Sequence, residues 1–331
     1  MMIPEEEYIS ILPKFFYDIK NINTAITEIN DYVYHRLLSI YNHHNQELSL
    51  MLSGGLDSIH ILAVAAYYKI PVTTYTYHYH NNHTSLKEVE NASKITDHFN
   101  INHKIITISD DNVDVNSIVE KLNSNEPWDI LAGLLLSVIQ KEVNKNNPGS
   151  PIISAAGADV LFQGGKNFIP RIIIQQSLQE WEKQVSNDII KTFTYQRFIP
   201  DFYNRILQDN NKHYKIWQTK KAVELTSNIH PTLIRGKDFN QDKKILKDAC
   251  RALNVPDECL MIVKDPMQHS SGSFELLTNL ARKQLKDKYG NNTYSDPLQE
   301  DLSILIARYY LQSLKKIIKL VIKLYNNQFL I

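Results

Sequence analysis

The stretch LSLMLSGGLDSIHILAVAAYYK, Leu48–Lys69, decides how this chain is read. An apolar run suited to a buried strand ends in Ser-Gly-Gly-Leu-Asp-Ser, and an apolar run at helical spacing follows at once. A glycine-rich turn from a strand into a helix presents unpaired backbone N–H groups and the positive end of a helix dipole, which together favour an anion. Gly54 and Gly55 allow a close backbone approach, Ser53 and Ser58 add hydroxyls, and Asp57 suits a magnesium ion that would itself hold the anion. The segment lacks the lysine of a Walker loop and the third glycine of a dinucleotide fingerprint. Taken as a dipeptide alone, Gly-Gly is a plain strand-to-helix turn; the full hexapeptide says more.

Outward from this stretch, Asn23–Tyr41 places Ile26, Ile29, Val33, Leu37 and Leu38 at helical spacing. Runs beginning at Pro71, His103 and Ser150 are rich in Val, Ile, Thr and Tyr and read as strands. Helical patterns lie between them at Ile59–Tyr68, Leu86–Phe99 and Ile130–Val143. This alternation predicts an α/β fold, a Rossmann-like parallel sheet with helices on both faces. Beyond Gly165 the pattern turns to long helices at Lys243–Leu253, Ser273–Tyr289 and Leu302–Tyr325, with few strand signals. The expected organisation is an N-terminal helical extension over 1–45, a nucleotide-binding core over 46–165 and a mostly helical region over 166–331.

Composition narrows the classes. The 331 residues are 43% hydrophobic, enough for a substantial core, and 36 basic residues balance 36 acidic ones. That balance argues against nucleic acid as a partner, and no apolar run reaches the roughly 18 residues a membrane span needs. The acidic, weakly apolar N-terminus is unlike a secretory signal, and Cys250 and Cys259 have no metal spacing. A cytoplasmic protein with two structural cysteines is expected. His78, His80 and His83 lie close together, but no cysteine or acid cluster completes a metal shell; they read as polar residues at the rim of the sheet. The terminal segment, with Lys315, Lys316, Lys319 and Lys323 among apolar residues, reads as a packing helix, with a partner surface and, last, a membrane-surface helix as the alternatives.

SGGLDS resembles the pyrophosphate loop of the N-type ATP pyrophosphatases. Two further segments narrow the resemblance to the asparagine synthetase and β-lactam synthetase superfamily. AAGADVLFQGG, Ala155–Gly165, is similar to that family's Gly-Ala-Asp-Glu-Leu-Phe-Gly-Gly element. DKKILKDACRALNVPDECLMIVKDPMQHSSG, Asp242–Gly272, is similar to its Lys-x-x-Leu-Arg helix and the later Lys and Ser-Gly turn. The resemblance spans about residues 25–285 in the family's order. It implies an ATP-dependent, AMP-forming C–N ligase: ATP adenylates a carboxylate, pyrophosphate leaves, and a nitrogen nucleophile displaces AMP. It also implies that Ser53, Gly54, Gly55, Asp57, Ser58, Gly157 and Asp159 bind ATP, that Asp57 and Asp159 hold Mg²⁺, and that Lys243 and Lys264 are the two active-site lysines. Ser270, Ser271 and Gly272 would close over the leaving group. Read without the resemblance, Asp159 is a helix N-cap and each lysine a surface residue.

The departures from the family pattern matter equally. Position 156, glutamate in asparagine synthetases and tyrosine in β-lactam synthetases, is Ala156; position 160, usually glutamate, is Val160; and Pro-Phe-Leu-Asp is reduced to Pro231-Thr232-Leu233-Ile234. The adenylating parts are thus kept while the second half-reaction is altered. Glu126, in NEPWD, is the candidate replacement base, its alternative being a residue that only starts a helix. No amidohydrolase precedes the loop in this sequence, so the expected nitrogen source is ammonia, an amine, or a separate glutaminase or biosynthetic partner, acting on a small-molecule or peptide carboxylate. Two other readings compete: a nucleotide-binding scaffold with reduced catalysis, and a tRNA-modifying pyrophosphatase, which the neutral charge disfavours.

Overall fold

The computed structural model describes residues 13–80, 83–109, 113–124, 126–166, 174–193, 202–207, 213–261, 272–289, 296, 298–301 and 305. The expected helix at Leu302–Tyr325 lies outside the described residues, apart from Leu305.

Five strands, β1 (Leu48–Met51), β2 (Val72–Tyr79), β3 (His103–Ile108), β4 (Ile152–Ser154) and β5 (His213–Lys215), form one sheet in the order β3-β2-β1-β4-β5. All pairings are parallel, with Leu50 opposite Thr74 on one side and Ile153 on the other, and Ile153 opposite Tyr214. Parallel strands need crossovers, and helices supply them on both faces. Strand alternation sorts the side chains. Leu48, Leu50, Ile153 and Tyr214 face α1 (Ile22–His44), α2 (Leu56–Tyr67) and α11 (Lys244–Ala252), while Tyr75, Tyr77, Tyr79 and Ile152 face α4 (Val115–Leu122), α5 (Pro127–Asn146) and α8 (Phe202–Ile206). No described helix is long and apolar enough to cross a membrane.

Local chemistry sets the element ends. The Asn21 carboxamide oxygen accepts from the N–H groups of Asn23 and Thr24 and starts α1, and Asn45, left-handed at φ 51°, ends it. The α2 helix is buried almost throughout, from Asp57 to Ala65, which explains why its sequence is apolar on every side. The strand β5 and the short helix α4 were not foreseen: three residues, His213-Tyr214-Lys215, carry no period that a sequence reading can detect, and beyond Gly165 the other regular elements among the described residues are helices.

In the strand order, the chain after β1 runs outward through β2 and β3, whereas β4 and β5 lie on β1's other side. The crevice beyond the C-terminal ends of β1 and β4 is therefore the topological switch point, the place where open α/β sheets bind ligands.

Candidate active site

The loop after β1 enters that crevice. Thr76 Oγ1 donates to the Leu52 carbonyl at 2.5 Å, anchoring the strand end to β2. Gly54 has φ 68°, and a Cβ there would lie 2.5 Å from the Glu88 carbonyl oxygen of α3 (His83–Phe99); only glycine fits. Asn91 of α3 donates from Nδ2 to the Gly54 carbonyl at 2.6 Å and to the Cys259 carbonyl at 3.2 Å. The Ser58 hydroxyl donates to the Gly55 carbonyl at 3.0 Å and accepts from Ser53 N–H at 3.2 Å, so it braces the loop from inside. With Gly55 as N-cap, α2 begins here and carries Asp57 in its first turn.

The loop after β4 mirrors it. Gly157, at φ 101°, caps the short helix α6 (Ala158–Leu161), and a Cβ there would meet the Trp217 carbonyl carbon at 2.7 Å. Asp159 lies in the first turn of α6. Its side chain is 70% exposed, whereas that of Asp57 is 6% exposed, so one carboxylate is embedded and the other faces outward.

Lys243 joins the two loops. It is the N-cap of α11 in the left-handed conformation, φ 46°, and its ammonium donates to Asp57 Oδ1 and Oδ2 at 2.6 Å each and to Asp159 Oδ1 at 2.5 Å. Burial alone would lower its pKa, but the charges and hydrogen bonds of Asp57 and Asp159 outweigh that and raise it, so the ammonium is retained. Gly164 leaves the room for this cluster: a Cβ there would stand 2.1 Å from Lys243 Cε and 2.3 Å from Asp159 Oδ1. Behind Asp57, burial and then the Asp57 charge push the Cys250 thiol up, as expected of a structural rather than a reactive cysteine.

The structure thus brings Ser53, Gly54, Gly55, Asp57, Ser58, Gly157, Asp159 and Lys243 to one crevice. Lys264, Ser270 and Ser271 lie outside the described residues. Glu126 is exposed at the N-cap of α5, its N–H donating to Ser124 Oγ at 3.1 Å, and its side chain makes no capping bond. Gly272, at φ 74°, precedes α13 (Ser273–Tyr289), whose Phe274 ring is 6.0 Å from that of Trp128 in α5. Of the histidines at the rim, His78 Nε2 lies 3.3 Å from Thr107 Oγ1 and His80 Nδ1 3.3 Å from the Ile108 carbonyl oxygen. Among the described residues no three His, Cys, Asp or Glu side chains gather as a metal shell.

Four residues of the site went unremarked in the sequence: Asn91, Gly164, Arg235 and Asp242. Asn91 gives no local signal, whereas Asp242 opens the quoted segment Asp242–Gly272, directly before Lys243. Gly164 belongs to the Gly-Gly that closes Ala155–Gly165, and Arg235 follows directly on the altered Pro231–Ile234 element, so both stood beside segments already singled out.

The donor set suits magnesium. Mg²⁺ is commonly held by one or two carboxylates together with substrate phosphates, and Asp57 and Asp159 already share one cation, the Lys243 ammonium. With helix N-termini and an ammonium beside them, the two carboxylates suit a bound polyphosphate and its metal rather than a phosphate alone.

Residues 42–222 match the family model described as asparagine synthase. Among solved structures, the chain is similar to an NMN synthetase from Francisella tularensis, at 13% identity and a TM-score of 0.33 over 74% of this chain and 98% of that one. It is also similar to an NH3-dependent NAD synthetase from Campylobacter jejuni, at 16% identity and a TM-score of 0.33 over 83% and 98% of the two chains. A third is a glutamine-dependent NAD+ synthetase from Acinetobacter baumannii, at 15% identity and 0.34 over 82% of this chain and 47% of that one. No match was found among curated proteins.

Proposed function

The chain belongs to the asparagine synthase family, a family of ATP-dependent amide ligases, and from that premise we propose that it adenylates a carboxylate and passes the acyl group to nitrogen. The observation that carries this reading is the convergence of Asp57, Asp159 and Lys243, from three separate segments, at the switch point of the sheet.

In the first half-reaction a carboxylate oxygen of the substrate attacks the α-phosphorus of ATP. The bond from that phosphorus to the bridging oxygen breaks, and pyrophosphate departs with the electron pair. Charge grows on the departing group, and preset donors aimed at it lower the barrier. The Gly54–Ser58 loop and the N-terminus of α2 supply N–H groups, and Lys243 supplies a positive charge that needs no proton to be taken up. Asp57 and Asp159 would hold Mg²⁺, which supplies Lewis-acid neutralisation of the phosphate oxygens when bound. Lys264 is the second cation of the proposal.

In the second half-reaction the lone pair of a nitrogen nucleophile, ammonia or an amine, attacks the acyl carbon, AMP leaves with the electrons of the broken C–O bond, and the nitrogen gives up a proton. Ala156 cannot accept that proton. Glu126 is the proposed acceptor, and general-base help of this kind is worth about 10² to 10⁴ in rate.

The test is exchange of labelled pyrophosphate into ATP across a panel of carboxylic acids, with Mg²⁺ and no nucleophile added. Exchange that depends on one acid and disappears in Asp57→Asn is the expected result, with aspartate plus ammonia giving little product. ATP binding that Asp57→Asn abolishes, without exchange for any acid, would replace the ligase by a nucleotide-binding scaffold.

A further inference from the structure

We propose that Arg235 is a positioning residue of this active site: its buried guanidinium clamps the loop that carries Asp159 to the loop that carries Lys243, and so sets the cation and carboxylates at pyrophosphate-binding distance. This rests on the adenylation reading above.

Arg235 is 3% exposed. Its Nη1 donates to the Gln163 carbonyl at 2.5 Å and its Nη2 to the Lys166 carbonyl at 2.8 Å, which grips the turn after Asp159 from both ends. Its Nε donates to the Phe239 carbonyl at 3.0 Å, and Nη1 also reaches Asp242 Oδ1 at 3.0 Å, which grips the segment entering α11. Asp242 completes the link, because the same Oδ1 accepts the Gly165 N–H at 3.0 Å. The next residue is Lys243, left-handed and non-glycine, a conformation that persists only where its surroundings over-determine it. Between the gripped carbonyls sits Gly164, against Lys243 Cε and Asp159 Oδ1. A planar, permanently charged fork satisfies four acceptors in fixed directions; a lysine has neither the plane nor the reach.

Outer-shell partners of a metal or phosphate site typically change affinity by about 10- to 100-fold when removed. The experiment measures free Mn²⁺ by electron paramagnetic resonance while inorganic pyrophosphate is titrated into the full chain, with thermal unfolding in parallel. Arg235→Gln and Asp242→Asn are expected to weaken Mn²⁺–pyrophosphate binding at least about tenfold at a temperature where both remain folded. Arg235→Lys should recover little. Added guanidinium ion should restore binding to Arg235→Ala, and urea, neutral and of the same shape, should not. Wild-type binding that both variants retain in full overturns the clamp and leaves the ligase reading standing. Wild-type protein that binds no Mn²⁺–pyrophosphate overturns the adenylation site and the clamp with it. Should Arg235→Gln not fold, Asp242→Asn decides alone, since its side chain is half exposed and its loss removes no core contact.

Discussion

Replacing Lys243 by methionine separates the two cations that this site can hold. The ammonium lies within 2.6 Å of both Asp57 oxygens and at 2.5 Å from Asp159 Oδ1, so in this position it and a divalent ion chelated by the same carboxylates exclude each other. Removing it leaves Asp57, 4% exposed, as a buried charge without its partner, which typically costs about 3–5 kcal/mol. Asp159 adds little, being mostly solvated. At about 2.1 cal/mol/K of unfolding entropy per residue, a chain of 331 residues loses about 1.4 °C per kcal/mol, so the melting temperature of Lys243→Met should fall by about 4–7 °C in metal-free buffer. Magnesium should then stabilise the variant more than the wild type, because no ammonium has to be displaced; at a hundredfold excess over Kd the gain is about 2.7 kcal/mol, or about 4 °C. With pyrophosphate present the order should reverse, since the lysine then contributes charge to the anion. Scanning calorimetry with and without Mg²⁺, with and without pyrophosphate, reads all four states. A variant as stable as wild type in chelator, with an equal response to Mg²⁺, would refute the exclusion argument.

Gly164→Ala should remain folded yet lose most Mg²⁺–ATP affinity, measured by calorimetric titration, because its Cβ would take the space of Lys243 Cε and Asp159 Oδ1; unchanged affinity would mean that this space is not part of the nucleotide site. Lys264→Ala should slow pyrophosphate exchange by about 10²- to 10³-fold with little change in ATP affinity, the pattern of a group that acts mainly on developing charge. A defect lying wholly in affinity would reduce Lys264 to a binding residue. His60 is fully buried, burial lowers its pKa from 6.5 to about 3, and its Nε2 lies 2.7 Å from Asn30 Oδ1. The unfolded chain therefore takes up this proton first as pH falls, so the contribution is complete above pH 6.5 and is lost as pH drops toward 3. His60→Gln should flatten that limb of the curve of melting temperature against pH, and an unaltered slope would assign acid sensitivity elsewhere.

Where chemistry is local, the amino-acid sequence by itself determined the outcome. The apolar run into Ser53–Ser58 specifies a strand, a tight turn and a helix start within a dozen residues, since periodicity, glycine and helix-end preferences all act at that range. For the same reason the alternation of strands with helices from Leu48 to Gly157 is enough to predict a parallel sheet covered on both faces, and the helix at Ser273–Tyr289 was bounded correctly. The short strand β5 was beyond that range: it is strand because β4 offers it a ladder, not because three residues prefer one. Asp57 stood out in the loop itself and Asp159 and Lys243 through family resemblance, yet nothing in their order says that one ammonium joins both carboxylates, for Lys243 and Asp57 are 186 residues apart. Arg235 shows the limit most clearly. Three of its four acceptors are backbone carbonyls, which every residue possesses, and the fourth is one oxygen of Asp242, so no side-chain pattern marks the set. Only the folded chain, by burying that guanidinium where four acceptors already converge, decides what it holds together.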